Sequence, residues 1–254
     1  MSLTTLNSVH SCVNRYKLNS IAVTTMLTPT LRWDALTNVT QSSNLVSSWG
    51  DSTNTYFATQ STNKPTLTAN YINSMNSIVF TAGTNQVLTT GSLAGTALNN
   101  ISNITIFYVF KIASNTNMQN FFSSTGGWTT GSMHLIFNGN FQLSLNSSSN
   151  DFGTGIAVPI NNPFILMVNF SSATGAMVSY LRLNGTSSSK FTHINSVITL
   201  QTGGFDFGGW SLGGRTINGG LSEILIYNST ITLAQIKAAE AYLSTRWNIT
   251  VSTV

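Results

Sequence analysis

From Leu31 onward the chain repeats one pattern: a short apolar run, then a turn of Gly, Asn and Ser. Runs of this length with turn signals between them predict strands rather than helices. "SIVFT" (77–81) and "QVLTT" (86–90) read as strands around a turn at Gly83. "NITIFYVFKI" (103–112) is apolar at both alternating sets of positions, so it predicts a central strand covered on both faces. "MHLIFNGNFQLSLN" (133–146) predicts a hairpin about Asn138-Gly139, a dipeptide that accepts positive φ. Beyond that turn Phe141, Leu143 and Leu145 alternate with Gln142, Ser144 and Asn146, giving one dry and one wet face. "PFILMVNFS" (163–171) and "GLSEILIY" (220–227) are further strands, and "MVSYLRLNGT" (177–186) ends in a second Asn-Gly turn. "GGFDFGGWSLGGR" (203–215) alternates aromatics within a glycine-rich stretch.

Helical spacing enters only at residue 232. Thr232 and Gln235 match a capping box, and Ile236, Ala239, Leu243 and Trp247 share one stripe. The prediction is an all-β, two-sheet antiparallel sandwich with one C-terminal helix over 232–247. The weakly patterned residues 1–30 are expected to form an N-terminal arm, with residues 31–254 as the domain.

Composition sharpens this picture. Charged residues make up 6% of the 254, and Asn, Ser and Thr supply 99. These three disfavour helix interiors, because their side chains compete for backbone hydrogen bonds, and they suit strands and turns. The net charge of +4 comes from scattered basic residues, without the Lys/Arg run that a nucleic-acid surface needs. Cys12 is the only cysteine, so no intrachain disulfide forms. The opening residues lack an apolar signal-type core, which gives an expectation of synthesis in the cytosol.

Candidate chemistry is sparse. A glycosidase needs two carboxylates roughly 5–10 Å apart. The chain offers only Asp34, Asp51, Asp151, Asp206, Glu223 and Glu240, with Leu221 and Leu225 at the alternate positions around Glu223. Asp206 and Glu223 are the distant pair that folding could bring together. Glu223 is otherwise expected to be a structural acid, bonded to Arg215 or Arg246, and Glu240 a solvated group on the helix. His10, His134 and His193 lie in no nucleophile or zinc pattern, and His134 is expected to be a partly buried sheet residue. The expectation is therefore that the chain is not an enzyme and carries no cofactor. Calcium is the exception: "WGDSTNT" (49–55) with Asp51, and Asp34 beside it, is a candidate oxygen-ligand loop. The competing reading is an Asx-turn built on Asp51. For a sugar, Trp128 and Trp210 stand in glycine-rich turns as stacking platforms, with Asp151 and Arg215 as polar partners.

An ordered set of segments resembles a known family. "LRWDA", "VSSWGD", "KPTL" and "SIVFTAG" are similar to the start of concanavalin A-like lectin/glucanase sandwiches of the laminin-G-like type. "YLRLNGT" resembles their middle, and "SLGGRTINGGLSEILIYNSTITLAQIKAAEAYLSTRWNI" resembles their end. The resemblance spans residues 31–250 and implies a jelly-roll fold, which hosts lectins, adhesion modules, hydrolases and structural proteins alike. Signal-free sandwiches rich in Asn, Ser and Thr also resemble those in structural proteins of large DNA viruses and phage appendages. The expectation drawn from this is a non-catalytic structural or attachment protein on a virion or other assembly surface. In that reading the arm contacts other structural proteins, carbohydrate contact is a further role, and nucleic acid and membrane play no part. Two alternatives stand beside it: a carbohydrate-active hydrolase or lyase, and a free carbohydrate-binding lectin module.

Overall fold

The computed structural model describes residues 26–93, 98, 101–114, 118–124, 133–145, 151–172, 177–193 and 204–252. In chain order the strands are Leu31–Asp34 (β1), Val39–Ser42 (β2), Leu45–Gly50 (β3), Phe57–Thr59 (β4), Thr66–Ile72 (β5), Met75–Phe80 (β6), Leu88–Thr90 (β7), Asn103–Ser114 (β8) and Gln119–Ser124 (β9). They continue as Met133–Asn138 (β10), Asn140–Leu145 (β11), Asp151–Ala157 (β12), Pro163–Ser171 (β13), Val178–Leu183 (β14), Thr186–Ser187 (β15), Phe191–Thr192 (β16), Phe205–Phe207 (β17) and Asn218–Tyr227 (β18). One helix, α1 (Leu233–Trp247), follows.

Antiparallel pairing arranges the strands in two layers. The back layer centres on β8, flanked by β13 and β18. Beyond them lie β14 on one side, and β1 and β6 on the other. The front layer runs β2, β3, β4, β7, β17, β9, β10, β11, β12. The pairing of Leu45 with Thr66 and the isolated bridge of Trp33 with Asp51 join the layers. The architecture is all-β with one C-terminal helix, as the periodicity predicted.

Two apolar cores explain the patterning. Trp33, Trp49, Phe80, Tyr108, Phe110, Phe122 and Phe207 pack between the layers. Phe107, Val109, Ile165, Met167 and Leu225 project from the other side of the back layer and meet Ile236, Ala239, Leu243 and Trp247 of α1. The double-sided apolar pattern of β8 thus serves both cores. Thr232 and Gln235 form the expected capping box, and the Asn73 side-chain amide donates to the Trp247 and Asn248 carbonyls at the other end.

The abundant Asn has a local role. Asn38, Asn44, Asn54, Asn70, Asn73, Asn85, Asn161, Asn184 and Asn248 all hold positive φ, where a β-branched residue would be strained. At Asn184-Gly185 both residues are left-handed, at +46° and +88°, which makes a two-residue primed turn between β14 and β15. The first Asn-Gly differs from expectation. Asn138 pairs directly with Asn140, and only Gly139, at +78°, turns the chain.

The strand expected over 86–90 begins at Leu88, and the stretch over 203–215 contributes only Phe205–Phe207 before becoming a loop. Residues 1–25 of the expected arm, Cys12 among them, lie outside the described residues. The arm's last residues run along β18: the Tyr227 hydroxyl donates to the Leu27 carbonyl, and Thr30 N–H donates to the Ile226 carbonyl.

Candidate functional site

Phe205 and Phe207 point into the inter-layer core, so Asp206 between them faces outward from the front layer. Register places Asp206 opposite Thr89, Thr89 opposite Thr59, Thr59 opposite Ser48, and Ser48 opposite Thr40. In the other direction Asp206 is opposite Ser123, then come His134, Ser144 and Asp151. One polar row therefore crosses the whole front layer. At roughly 4.8 Å between strands it spans about 38 Å.

Asp206 is the electrostatic centre of the row. Its Oδ2 accepts from Ser211 N–H at 2.9 Å and Ser211 Oγ at 2.7 Å, and its Oδ1 accepts from Thr89 Oγ1 at 2.8 Å. Burial pushes its carboxyl above the ordinary range, and hydrogen bonds from Ser211 and Thr89 offset part of that rise. The carboxylate so anchored holds the 208–216 loop down on the sheet. Trp210 closes a turn by accepting from Gly213 and Gly214 N–H, and its ring lies on Gly213. A Cβ at Gly213 would stand 2.0 Å from that ring, so only glycine fits there. The other neighbours of the Trp210 ring are His134, edge-on at 6.0 Å between centroids, and the Arg215 guanidinium, 5.5 Å from its centroid. The loop covers the His134 half of the row; His134 itself is fully buried, deeper than expected.

The Thr89 half stays open. A groove of about 490 Å³ runs over it, lined by Ser47, Thr59, Gln60, Ser61, Lys64 and Thr89. Phe57 flanks Ala58 on the opposite side from Thr59, and Ala58 is core, so Phe57 and Thr59 share the outward face. Phe57 is 40% exposed, unusual for a phenylalanine, and its ring edge lies against Gly50. An exposed aromatic beside hydroxyls and an amide is the composition of a sugar-binding surface.

The expected site residues are thus distributed as follows. Trp210 and Arg215 are in contact with each other in one loop. Asp151 occupies the far end of the row, opposite Ser144, while Trp128 lies outside the described residues. Asp51 accepts from the N–H groups of Thr53, Thr55 and Tyr56 and from Thr53 Oγ1, which is the Asx-turn arrangement. Burial alone would raise its carboxyl, but the bonds from Thr53, Tyr56 and Thr55 outweigh it and hold the group below the ordinary range. Asp34 turns to the back layer, where its Oδ2 meets Arg32 and Arg246. The two carboxylates do not converge on one ion position, and among the described residues no cluster of three His, Cys, Asp or Glu does so.

Two acids differ from expectation. Glu223 is fully buried under α1, bonded to Arg32, Tyr242 and Trp247 and paired with Arg246, so it binds one of the two expected arginines and not Arg215. It therefore lies across the sandwich from Asp206, and these two carboxylates do not meet. Glu240, expected to be solvated, is 3% exposed and grips Arg182 through both oxygens, at 2.8 and 3.0 Å. The helix stripe did not reveal this, because the partner lies on β14, more than fifty residues away in sequence.

No family model matches the chain, and no curated protein matches it. Solved structures do. One is domain 4 of AbnA, an extracellular GH43 arabinanase from Geobacillus stearothermophilus, in complex with arabinotriose: 18% identity, TM-score 0.57, covering 84% of this chain and 98% of that one. Another is Trypanosoma rangeli sialidase: 12% identity, TM-score 0.60, covering 97% of this chain but only 40% of the sialidase. A third is a carbohydrate-binding protein from Bacteroides ovatus: 15% identity, TM-score 0.51, covering 63% of this chain and 45% of that one. These likenesses show a shared β-sandwich fold, consistent with the jelly roll that the resemblance implies. They also correct the expectation that the chain is not an enzyme. Sandwiches of this shape are parts of an arabinanase and of sialidases, so the shape does not set the chain apart from catalytic proteins.

Proposed function

We propose that this chain is a carbohydrate-recognition sandwich that holds a glycan along the open half of its front layer. Phe57 supplies the stacking surface for the apolar face of a sugar ring, the Thr59 hydroxyl a donor and acceptor, and Thr89 and Gln60, already bonded to Asp206 and to Val87 and Thr62, their remaining hydrogen-bonding positions. The observation that carries the reading is the exposed Phe57 on the same outward face as the hydroxyl row. The similar structures support it in kind, being carbohydrate-active or carbohydrate-binding proteins.

The reading of the chain as a virion component gives way here, since none of those structures supports it and residues 1–25, which would make the assembly contacts, lie outside the described residues. The test is calorimetric titration with a panel of neutral and acidic oligosaccharides, arabinotriose included. Binding by the wild type, weakened about tenfold or more by Phe57→Ala with the melting temperature unchanged, is the expected result. A panel without a binder, or a Phe57→Ala variant that binds as the wild type does, overturns it.

A further inference from the structure

The charges around the groove point to the class of glycan. The chain has six acids. Five of them, Asp34, Asp51, Asp206, Glu223 and Glu240, are buried with their carboxylates engaged inside the fold. None of the residues lining the groove is acidic. The nearest carboxylate along the row is Asp206, which lies behind Thr89 and is bound by the Thr89 hydroxyl and by Ser211. Lys64, in contrast, lines the groove and forms no ion pair among the described residues. Its backbone is fixed, because its N–H donates to the Thr62 carbonyl and its carbonyl accepts from the Gln86 amide.

A cation at the wall of a groove whose lining carries no acid attracts an anion, and the Asp206 carboxylate behind Thr89 offsets part of that attraction. Hydroxyl and amide groups on the neighbouring positions suit the rest of a sugar. Resting on the glycan reading above, we infer that the groove takes a carboxylate-bearing sugar, with Lys64 facing the carboxylate and the glycan continuing along the outward face toward Phe57. A uronic-acid oligosaccharide is the simplest ligand of this class.

The test uses the full chain and two ligands that differ only in charge: tetragalacturonate and the same chain after reduction of its carboxyl groups. Binding to each is measured at low salt and at about 0.5 M salt, where exposed charge pairs are screened. The expected result is a preference of about tenfold for the acid at low salt, the size of one charge-assisted contact. Lys64→Gln abolishes that preference, and high salt shrinks it. Lys64→Gln melts with the wild type, since no described ion pair is lost. Equal affinity for both ligands overturns the inference and leaves the glycan reading standing. A preference that survives Lys64→Gln overturns the assignment to this groove. Binding of neither ligand, nor of any other glycan, removes the reading and the inference together.

Discussion

Asp51 and Asp206 are both fully buried acids in the front half of the sandwich, and their surroundings push them in opposite directions. Backbone N–H groups of Thr53, Thr55 and Tyr56 converge on Asp51 and stabilise its charge. A carboxyl held below its unfolded value adds stability above the ordinary carboxylate range and loses it as the pH falls through the folded value. Asp51→Ala is expected to cost about 1–3 kcal/mol at neutral pH, because those donors are left without their acceptor. Urea midpoints at pH 7 and pH 3 check this, and the gap between variant and wild type narrows at the acid end. Asp206 has the opposite sign. A raised carboxyl contributes fully below its unfolded value and progressively less as pH rises through the folded one. Asp206→Asn keeps acceptors for Ser211 and removes the buried charge. Its stability relative to wild type therefore improves as the pH goes from about 4 to about 7. A constant difference across that range would show that the buried charge does not titrate as described. Residue type alone did not separate the two: the Asx-turn reading that competed with calcium at "WGDSTNT" was open because Asp51 precedes its donors in sequence, whereas Asp206 is bonded by Thr89, which only the β7–β17 pairing brings near.

At the scale of elements, legibility followed locality. The helix, its cap, the doubly buried β8 and the Asn184-Gly185 turn were readable, because each depends on residues within one or two turns of each other. The outward row was not, because Thr59, Thr89, Asp206 and His134 become neighbours only through strand register. Phe57 was missed for a related reason: read within "DSTNTYFAT" it looks like core, and its exposure follows from Ala58 taking the inward place. The docking of α1 is similar. Trp247 was expected on the buried stripe, yet its indole N–H ends on Glu223. Trp247→Ala is expected to cost about 3–5 kcal/mol by cavity formation, more if Glu223 loses its donor without compensation. The Arg182–Glu240 pair gives a sharper test of how α1 is held. Glu240→Ala strands a buried guanidinium and should cost about 3–5 kcal/mol, whereas the double variant Arg182→Met, Glu240→Leu should recover most of it. Chemical denaturation of Arg182→Met, Glu240→Leu and the double measures the coupling; an additive cycle would mean the ion pair is not what joins helix to sheet.

Over the whole molecule, the few charges are unevenly allocated. Asp34, Glu223 and Glu240 are spent with Arg32, Arg246 and Arg182 in fastening α1 and its flanks to the back layer. Asp51 and Asp206 are spent on turns and loops of the front. His134 and His193 are buried as well, the latter 2.8 Å from Ser179 Oγ. The described surface retains hydroxyls, amides and the exposed Lys190 and Lys237, with the five buried acids engaged inside the fold. Such a surface changes little in charge between the carboxylate and lysine ranges. Electrophoretic mobility is therefore expected to stay cationic from about pH 5 to about pH 7, to fall beyond that as the α-amino group and Cys12 titrate, and to drop by one charge in Lys64→Gln. A mobility that falls by several charges between about pH 5 and about pH 7 would reveal titrating acids at the surface, and would remove the electrostatic reason for an acidic ligand in the Lys64 groove.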